Sequence, residues 1–320
     1  MNNILVQSNN QLAHIEIEQR YTNTLSPETK RAYTQAIKEF FGKELHEITI
    51  QDMQAVNPDM ANQYALALEA KGLTHATINR KLAALHSFYQ FLCRRNVGIM
   101  AYNPFSTDEG AIRFKNAQKD YSDKKALTPE EIKSVFDSAR QDTSISGVRD
   151  LLILELLATT GMRRAEICSI KIGDLQDTAG KFIAEIKGKG NKSRITVFSK
   201  NVVKVLKQYM EMRGITLANK DEWLLVSHAN RKSGTGQVST NMIYRVVKHY
   251  CGLAGIDESQ VSPHCLRHGY ATNCIDMGMA ITDVKDLMGH ASITTTAKYV
   301  KSYNLINKNP ANKLDELYND

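Results

Sequence analysis

Residues 106–125 interrupt the hydrophobic pattern of this 320-residue chain. The stretch follows Asn103-Pro104, is polar and lysine-bearing, and its few apolar residues show no helical or strand spacing. Periodic apolar positions resume at a capping-box sequence, in which Glu131 follows Thr128 by three residues. The chain is long enough for two compact domains with separate cores. We therefore expect two domains joined by an interdomain linker at residues 106–125.

The region before this linker is predicted to be helical. Ser26 followed by Pro27 indicates a helix start, because a hydroxyl caps the first turn and proline fits the first helical position. A second helix is predicted from about Asp59 to Gly72, and Thr74 opens a third. We predict a polar lead-in over residues 1–20 and an all-helical domain over residues 21–105. The third helix carries one apolar stripe: Ile78, Leu82, Leu85, Phe88, Tyr89 and Leu92.

The region after the linker is predicted to be mostly helical with one β-hairpin. Residues 182–186 and 194–198 are strand-like, and the glycine-bearing residues 188–191 between them indicate a turn. We expect this second domain to span residues 126–303. A final helical stripe in residues 304–320 consists of Leu314, Leu317 and Tyr318. The predicted fold class is mainly α with a small antiparallel β-sheet, arranged in two domains.

The charge distribution favours a polyanionic partner. Lys and Arg number 41 against 34 Asp and Glu, a net charge of +7. Residues 181–200 contain six basic residues and a single acidic one. The basic residues belong to the predicted hairpin rather than to one side of a helix. A solvated surface would also explain this charge. We predict that Lys187, Lys192 and Arg194 contact nucleic acid.

The five cysteines are an odd number without CxxC spacing, which is typical of reduced thiols in a cytoplasmic protein. The sequence has no apolar run near the roughly 20 residues of a membrane span, and the first twenty residues lack a signal-peptide pattern. His264 and His268 lie four apart beside Cys265, but Arg267 between them would repel a cation. We expect a cytoplasmic protein without a bound metal or other cofactor.

Five segments carry side chains suited to phosphoryl transfer. The residues are Arg163 with Glu166 three positions later, Lys189 between two glycines, His264 with Arg267, His290, and Tyr299 nine positions after His290. Taken singly, the Arg163–Glu166 pair is better explained as a surface ion pair, and Tyr299 is open to explanation as a buried ring. Tyr303 and Tyr121 are competing candidates for a reactive phenol.

Together these side chains predict a phosphodiester site. Two arginines would bind the non-bridging oxygens and neutralise charge that grows during in-line attack. A phenol has a pKa near ~10, so a nucleophilic tyrosine needs nearby cations or a base at neutral pH. Lys189 is placed to protonate a leaving 5′ oxygen, His264 to accept the tyrosine proton, and His290 to hydrogen-bond the phosphate.

The five segments resemble the tyrosine recombinase family of the lambda-integrase type, which includes the Xer and Cre proteins. TGMRRAE fits the family's TGxRxxE box, GKGNKSR its lysine hairpin, HCLRH its HxLRH box, and LMGH with a tyrosine nine residues later its last box. The resemblance assigns catalytic roles to six residues, with Glu166 and His268 supporting them. The six are Arg163, Lys189, His264, Arg267, His290 and Tyr299.

The resemblance also implies an activity and an assembly. The activity is site-specific recombination through a 3′-phosphotyrosyl intermediate, for integration, excision, resolution or inversion in a Xer- or transposon-type enzyme. The helical domain would be the core-binding domain, which closes a C-shaped clamp around DNA with the catalytic domain. Four subunits would act on two duplexes with inverted-repeat arms, with or without accessory DNA-bending proteins. Residues 304–320 would dock on a neighbouring subunit.

Three alternatives stay open on the sequence alone. A type IB topoisomerase would share the tyrosine, the arginines, the lysine and a histidine. A DNA-binding protein that has lost catalysis would keep the fold, although the intact set of six residues argues against it. As the less favoured alternative to docking on a neighbour, the helix of residues 304–320 would pack on its own domain. The sequence favours a recombinase of bacterial cytoplasm, associated with the nucleoid when bound to DNA.

Overall fold

A computed structural model describes residues 17–115, 126–178, 181–187, 193–228, 236–290 and 292–297. The chain divides into two compact units, Met1–Lys119 and Asp120–Asp320. Among the described residues, no helix is both long and apolar enough to cross a membrane.

The first unit is helical in its described part. Residues 17–22 form a short helical segment. The helices that follow are α1 (Pro27–Phe41), α2 (Ile50–Ala55), α3 (Pro58–Ala70) and α4 (His75–Leu92). The predicted start at Pro27 is present, and the Thr74 hydroxyl accepts the Thr77 backbone N–H as expected of an N-cap. The short helix α2 was not predicted from the sequence, although it has its own capping box, Thr49 with Asp52.

The core of the first unit lies around α4 and reaches beyond the predicted domain limits. The apolar stripe of α4 is buried, and the ring of Phe88 packs edge-on against Tyr21 at 5.1 Å between centroids. Residues 106–115, expected to be linker, also bind this unit. The Asn62 side chain donates to the Gly110 carbonyl at 3.1 Å and accepts from the Ile112 N–H at 2.8 Å. An asparagine side chain thus satisfies backbone groups that a free linker would leave to water.

The second unit is mixed α/β. Its first helices are α5 (Pro129–Arg140), α6 (Ile145–Thr160) and α7 (Arg164–Cys168). Strands β1 (Leu175–Thr178), β2 (Lys181–Lys187) and β3 (Ser193–Val197) follow. Then come α8 (Lys200–Arg213), α9 (Thr240–Leu253), α10 (Pro263–Asp276) and α11 (Ile281–Met288), and residues 293–297 are again helical. The predicted capping box of Thr128 and Glu131 opens α5.

Helix α6 is the centre of the second unit. Residues 151–157 are buried without interruption, and α6 packs against α5, α8, α9 and α10. A helix that is buried on all sides has neighbours on all sides. The C-terminal end of α6 is therefore fixed within the core, and it delivers the chain to Arg163 only three residues later.

The small sheet has the order β1-β2-β3, and all its strands are antiparallel. In its register Ile186 lies opposite Arg194, and Glu185 lies opposite Ile195. Ile186 is buried, so Arg194 shares the inner face, while Ile195 and Val197 stay 64% and 56% exposed. The predicted class, mainly α with a small antiparallel sheet, is confirmed.

Candidate active site

Arg163 is positioned by a sharp turn at the end of α6. Gly161 caps that helix with a left-handed backbone, φ 61°, and Arg163 is the N-cap residue of α7. The Arg163 backbone N–H donates to Glu166 Oε2, and its guanidinium donates to Glu166 Oε1, both at 2.8 Å. Its side chain remains 44% exposed. The turn therefore exposes the guanidinium of Arg163 at the surface, while Glu166 holds it in place.

Gly161 is required at this turn for two reasons. An added Cβ would lie 2.4 Å from Cδ1 of Tyr270, and the backbone φ is one that L side chains rarely adopt. Gly214 ends α8 with nearly the same backbone, φ 66°, and a Cβ added there would have no atom within 4 Å. Substitution of either glycine therefore strains the backbone, but only substitution of Gly161 also produces a steric clash.

We expect Gly161→Ala to destabilise the protein by about 3 kcal/mol and Gly214→Ala by about 1 kcal/mol. Left-handed strain contributes roughly 1–2 kcal/mol in each, and the collision with Tyr270 adds a cost on the order of 1–3 kcal/mol in the first. Urea unfolding of both variants measures the difference. Equal losses would mean that Tyr270 moves aside without cost.

Glu166 joins two arginines beneath the surface. It is buried and accepts from Arg163, as above, and from Arg194, whose Nη1 and Nη2 lie 3.1 and 2.8 Å from its oxygens. Burial alone would raise the pKa of Glu166. Hydrogen bonds from Arg194 and Arg163, with the Arg194 charge, outweigh burial and lower the pKa to about 2. Glu166 is therefore ionised at neutral pH and holds both guanidinium groups.

The C-terminal end of α11 binds three arginines through successive carbonyls. Arg194 Nε donates to the Leu287 carbonyl at 3.0 Å, Arg267 Nη2 to Met288 at 2.8 Å and Arg163 Nη2 to Gly289 at 3.1 Å. The last carbonyls of a helix need partners from outside it, and they lie at the negative end of the helix dipole, where cations are favoured. The α11 terminus thus gathers groups from three separate parts of the sequence into one cluster.

Arg267 and His290 form the buried part of the cluster. Arg267 is 3% exposed, and its Nη1 also donates to the Gly161 carbonyl. Its Nη2 lies 2.8 Å from His290 Nε2, and His290 Nδ1 lies 2.8 Å from Thr296 Oγ1. Burial, with the Arg267 and Arg163 charges, lowers the pKa of His290 to about 4. The ring is therefore neutral at physiological pH.

The structure brings together many of the predicted site residues. Arg163, Glu166, Arg267 and His290 meet as described, and His264 and His268 lie on α10, exposed and buried respectively. Lys187 ends β2 with its side chain 74% exposed and its Nζ 3.3 Å from Asp174 Oδ1. The predicted residues Lys189, Lys192 and Tyr299, with the competing Tyr303 and Tyr121 and the tail 304–320, lie outside the described residues.

Two features of the site were not anticipated from the sequence. Arg194, predicted to contact DNA, has its guanidinium on Glu166 and the Leu287 carbonyl, and its side chain is 14% exposed. Strand register would have given the signal, since Arg194 lies opposite the buried Ile186. Thr296 was not predicted, because an isolated threonine carries no motif. Its position three residues before Tyr299 was the available indication.

Comparison with known proteins identifies the family. The model of the phage integrase family matches residues 125–305, and that of the phage integrase N-terminal SAM-like domain matches residues 17–96. Tyrosine recombinase XerC of Listeria welshimeri is 30% identical over 293 residues, covering 89% of this chain and 92% of that protein. Tyrosine recombinase XerA of Pyrococcus furiosus is 29% identical over 288 residues, covering 90% and 86%.

Solved structures agree in fold. The XerH site-specific recombinase bound to a palindromic difH substrate has a TM-score of 0.65 at 20% identity, covering 91% of this chain and 80% of that one. The Tn1549 transposon integrase in complex with transposon right end DNA has a TM-score of 0.60 at 20% identity, covering 88% and 94%.

The matching family models and relatives define a DNA strand transferase of the tyrosine type. The chain belongs to the phage integrase family. The family, the class of enzyme and the site-specific recombination activity predicted from the sequence are thereby confirmed.

Proposed function

We propose that this recombinase cleaves and rejoins DNA with Tyr299 as its nucleophile and the arginine cluster as its phosphate site. The cluster is the observation that supports the proposal most directly. Three guanidinium groups, from Arg163, Arg194 and Arg267, meet at the C-terminal end of α11, and the first two share the carboxylate of Glu166. The excess of positive charge at its partly exposed edge suits a phosphodiester.

The reaction divides among the predicted residues. The Tyr299 oxygen attacks phosphorus, and the bond from phosphorus to the 5′ oxygen breaks. His264 takes the phenol proton, and Lys189 gives a proton to the leaving 5′ oxygen. The products are a 3′-phosphotyrosyl bond and a 5′ hydroxyl, so the phosphodiester's energy is kept in the new bond. Attack by a 5′ hydroxyl from a second duplex then completes the exchange.

The two catalytic arginines contribute differently. Arg163, exposed and held by Glu166 and the Gly289 carbonyl, is the arginine that meets an arriving phosphate. Arg267 is buried and stabilises the charge that develops as the strand is cut. In the described arrangement His290 Nε2 accepts from an Arg267 N–H, so the predicted hydrogen bond from His290 to the phosphate requires that contact to open and the ring proton to lie on Nε2. Arg194 acts on this site by holding Glu166.

Double-stranded DNA is the partner, and Lys187 and Lys192 are its proposed contacts, since both belong to a strongly basic segment of the sequence. We propose a tetramer on two sites with inverted-repeat arms, in which residues 304–320 dock on a neighbouring subunit. The clamp around DNA, the accessory DNA-bending proteins and the bacterial nucleoid location stay predictions.

Strand exchange distinguishes this proposal from a nicking-closing topoisomerase. With two cognate sites, we expect purified protein to join strands from different duplexes, because the covalent intermediate accepts any correctly placed 5′ hydroxyl. The assay measures recombinant products beside relaxation of a supercoiled plasmid that lacks the site. Relaxation of any sequence without exchange would support the topoisomerase alternative. DNA binding without an adduct on a substrate nicked near the cleavage site would support a protein that only binds.

A further inference from the structure

Arg194 forms a mostly buried ion pair with Glu166. Its Nη1 and Nη2 donate to the two carboxylate oxygens at 3.1 and 2.8 Å, the paired geometry of strong arginine–carboxylate contacts. The side chain of Arg194 is 14% exposed and that of Glu166 is 7% exposed. Arg194 is also confined by α11, because a Cβ added to Gly289 would lie 3.0 Å from its Nη1. Its charge therefore faces Glu166, and its guanidinium is held away from the surface.

Arg163 shares the same carboxylate by a single guanidinium contact. Its Nη1 donates to Oε1 of Glu166 at 2.8 Å, while its Nη2 donates to the Gly289 carbonyl, which carries no net charge. Burial raises the pKa of Glu166, and the hydrogen bond from Arg194 is the largest of the influences that lower it. Arg194 is therefore the main counter-charge of Glu166, and Arg163 is the more exposed of its two partners.

One negative charge is shared here between two positive ones. Because Arg194 balances Glu166 within a buried pair, the charge of Arg163 at the exposed edge stays available to a phosphodiester. We propose that Arg194 is a positioning residue that neutralises Glu166, so that Glu166 orients Arg163 without cancelling its charge. The inference rests on the proposed function for its effect on cleavage, whereas the pairing of Arg194 with Glu166 is testable without DNA.

Three substitutions of Arg194 separate its charge from its hydrogen bonds. In Arg194→Met the charge of Glu166 is balanced by Arg163 alone, so we expect adduct formation with saturating DNA to slow by about 10-fold, the rate equivalent of one charged hydrogen bond. Arg194→Lys keeps the charge and should restore most of the rate. Arg194→Gln keeps N–H donors without the charge and should be as slow as methionine. Lys207→Met removes a positive charge from an exposed position of α8 and should have no effect.

A double variant tests whether Arg194 acts through Glu166. Protein that carries Glu166→Gln has no negative charge for Arg194 to neutralise, so adding Arg194→Met should cause no further slowing. The double variant should also unfold at a higher urea concentration than Glu166→Gln alone, because it no longer buries a guanidinium without its anion. An independent role of Arg194 would instead slow cleavage by the same factor in both backgrounds.

The opposite results would overturn the proposal. They are equal slowing by Arg194→Met in both backgrounds, a glutamine variant as fast as wild type, or a lysine variant as slow as methionine. If Arg194→Met fails to fold alone, the lysine and glutamine variants still separate charge from hydrogen bonding. A failure of the proposed function would appear separately, as cleavage that survives Arg163→Ala, and the urea comparison would still test the ion pair.

Discussion

Tyr299→Phe should form no covalent adduct with DNA and should bind DNA as tightly as the wild-type protein. The change removes one oxygen, which is the atom proposed to attack phosphorus, and keeps the ring and every cation of the site. Loss of a nucleophile costs a factor on the order of 10⁶ in rate where it has been measured. A substrate nicked near the cleavage site traps the adduct for a denaturing gel, and a mobility shift measures binding.

Tyr303→Phe is the matched control. Tyr303 follows Tyr299 by four residues, one helical turn if the segment is helical, and is the nearest competing phenol. It should form the adduct at the wild-type rate. If the adduct instead survives in Tyr299→Phe and disappears in Tyr303→Phe, the nucleophile is Tyr303.

Local signals in the sequence predicted much of the fold. Helix starts at Pro27, Thr74 and Thr128 were visible because capping depends on residues within one turn. Where the first unit ends was harder to predict from the sequence. Residues 106–115 have no periodicity of their own and are held by the side chains of Asn62 and Asn79, which come from distant helices.

The sequence predicted which residues form the site better than it predicted how they are held together. Motif spacing pointed to Arg163, Arg267 and His290, but not to the helix terminus whose carbonyls gather them. Arg194 shows the difference. It was predicted to contact DNA, yet the register with β2 turns it inward and leaves Ile195 and Val197 of the same strand exposed. The pairing of β2 with β3 decides which face of the sheet Arg194 occupies, and the sequence of neither strand alone determines that pairing.

Glu166→Gln should destabilise the protein by about 3 kcal/mol at pH 7 and slow adduct formation by about 10- to 100-fold. The substitution preserves shape but leaves two guanidinium groups, one of them mostly buried, without their anion, and breaking a buried ion pair from one side is costly. Cleavage slows because Arg163 loses the carboxylate that orients it, a charged hydrogen bond being worth roughly 1.5–3 kcal/mol. Urea unfolding and the trapped-adduct assay measure the two effects.

The pH dependence of the stability loss in Glu166→Gln shows whether the loss comes from the missing negative charge. Folding lowers the pKa of Glu166 from 4.5 to about 2, so its contribution is fully present above about pH 4.5 and declines as the pH falls towards 2. The stability difference between wild type and Glu166→Gln should therefore be smaller at pH 3 than at pH 7. Glu185→Gln, an exposed carboxylate on β2, should show no such difference at either pH. A loss in Glu166→Gln that stays constant from pH 7 to 3 would mean that the amide is poorly packed, and that the negative charge of Glu166 does not hold the arginines together.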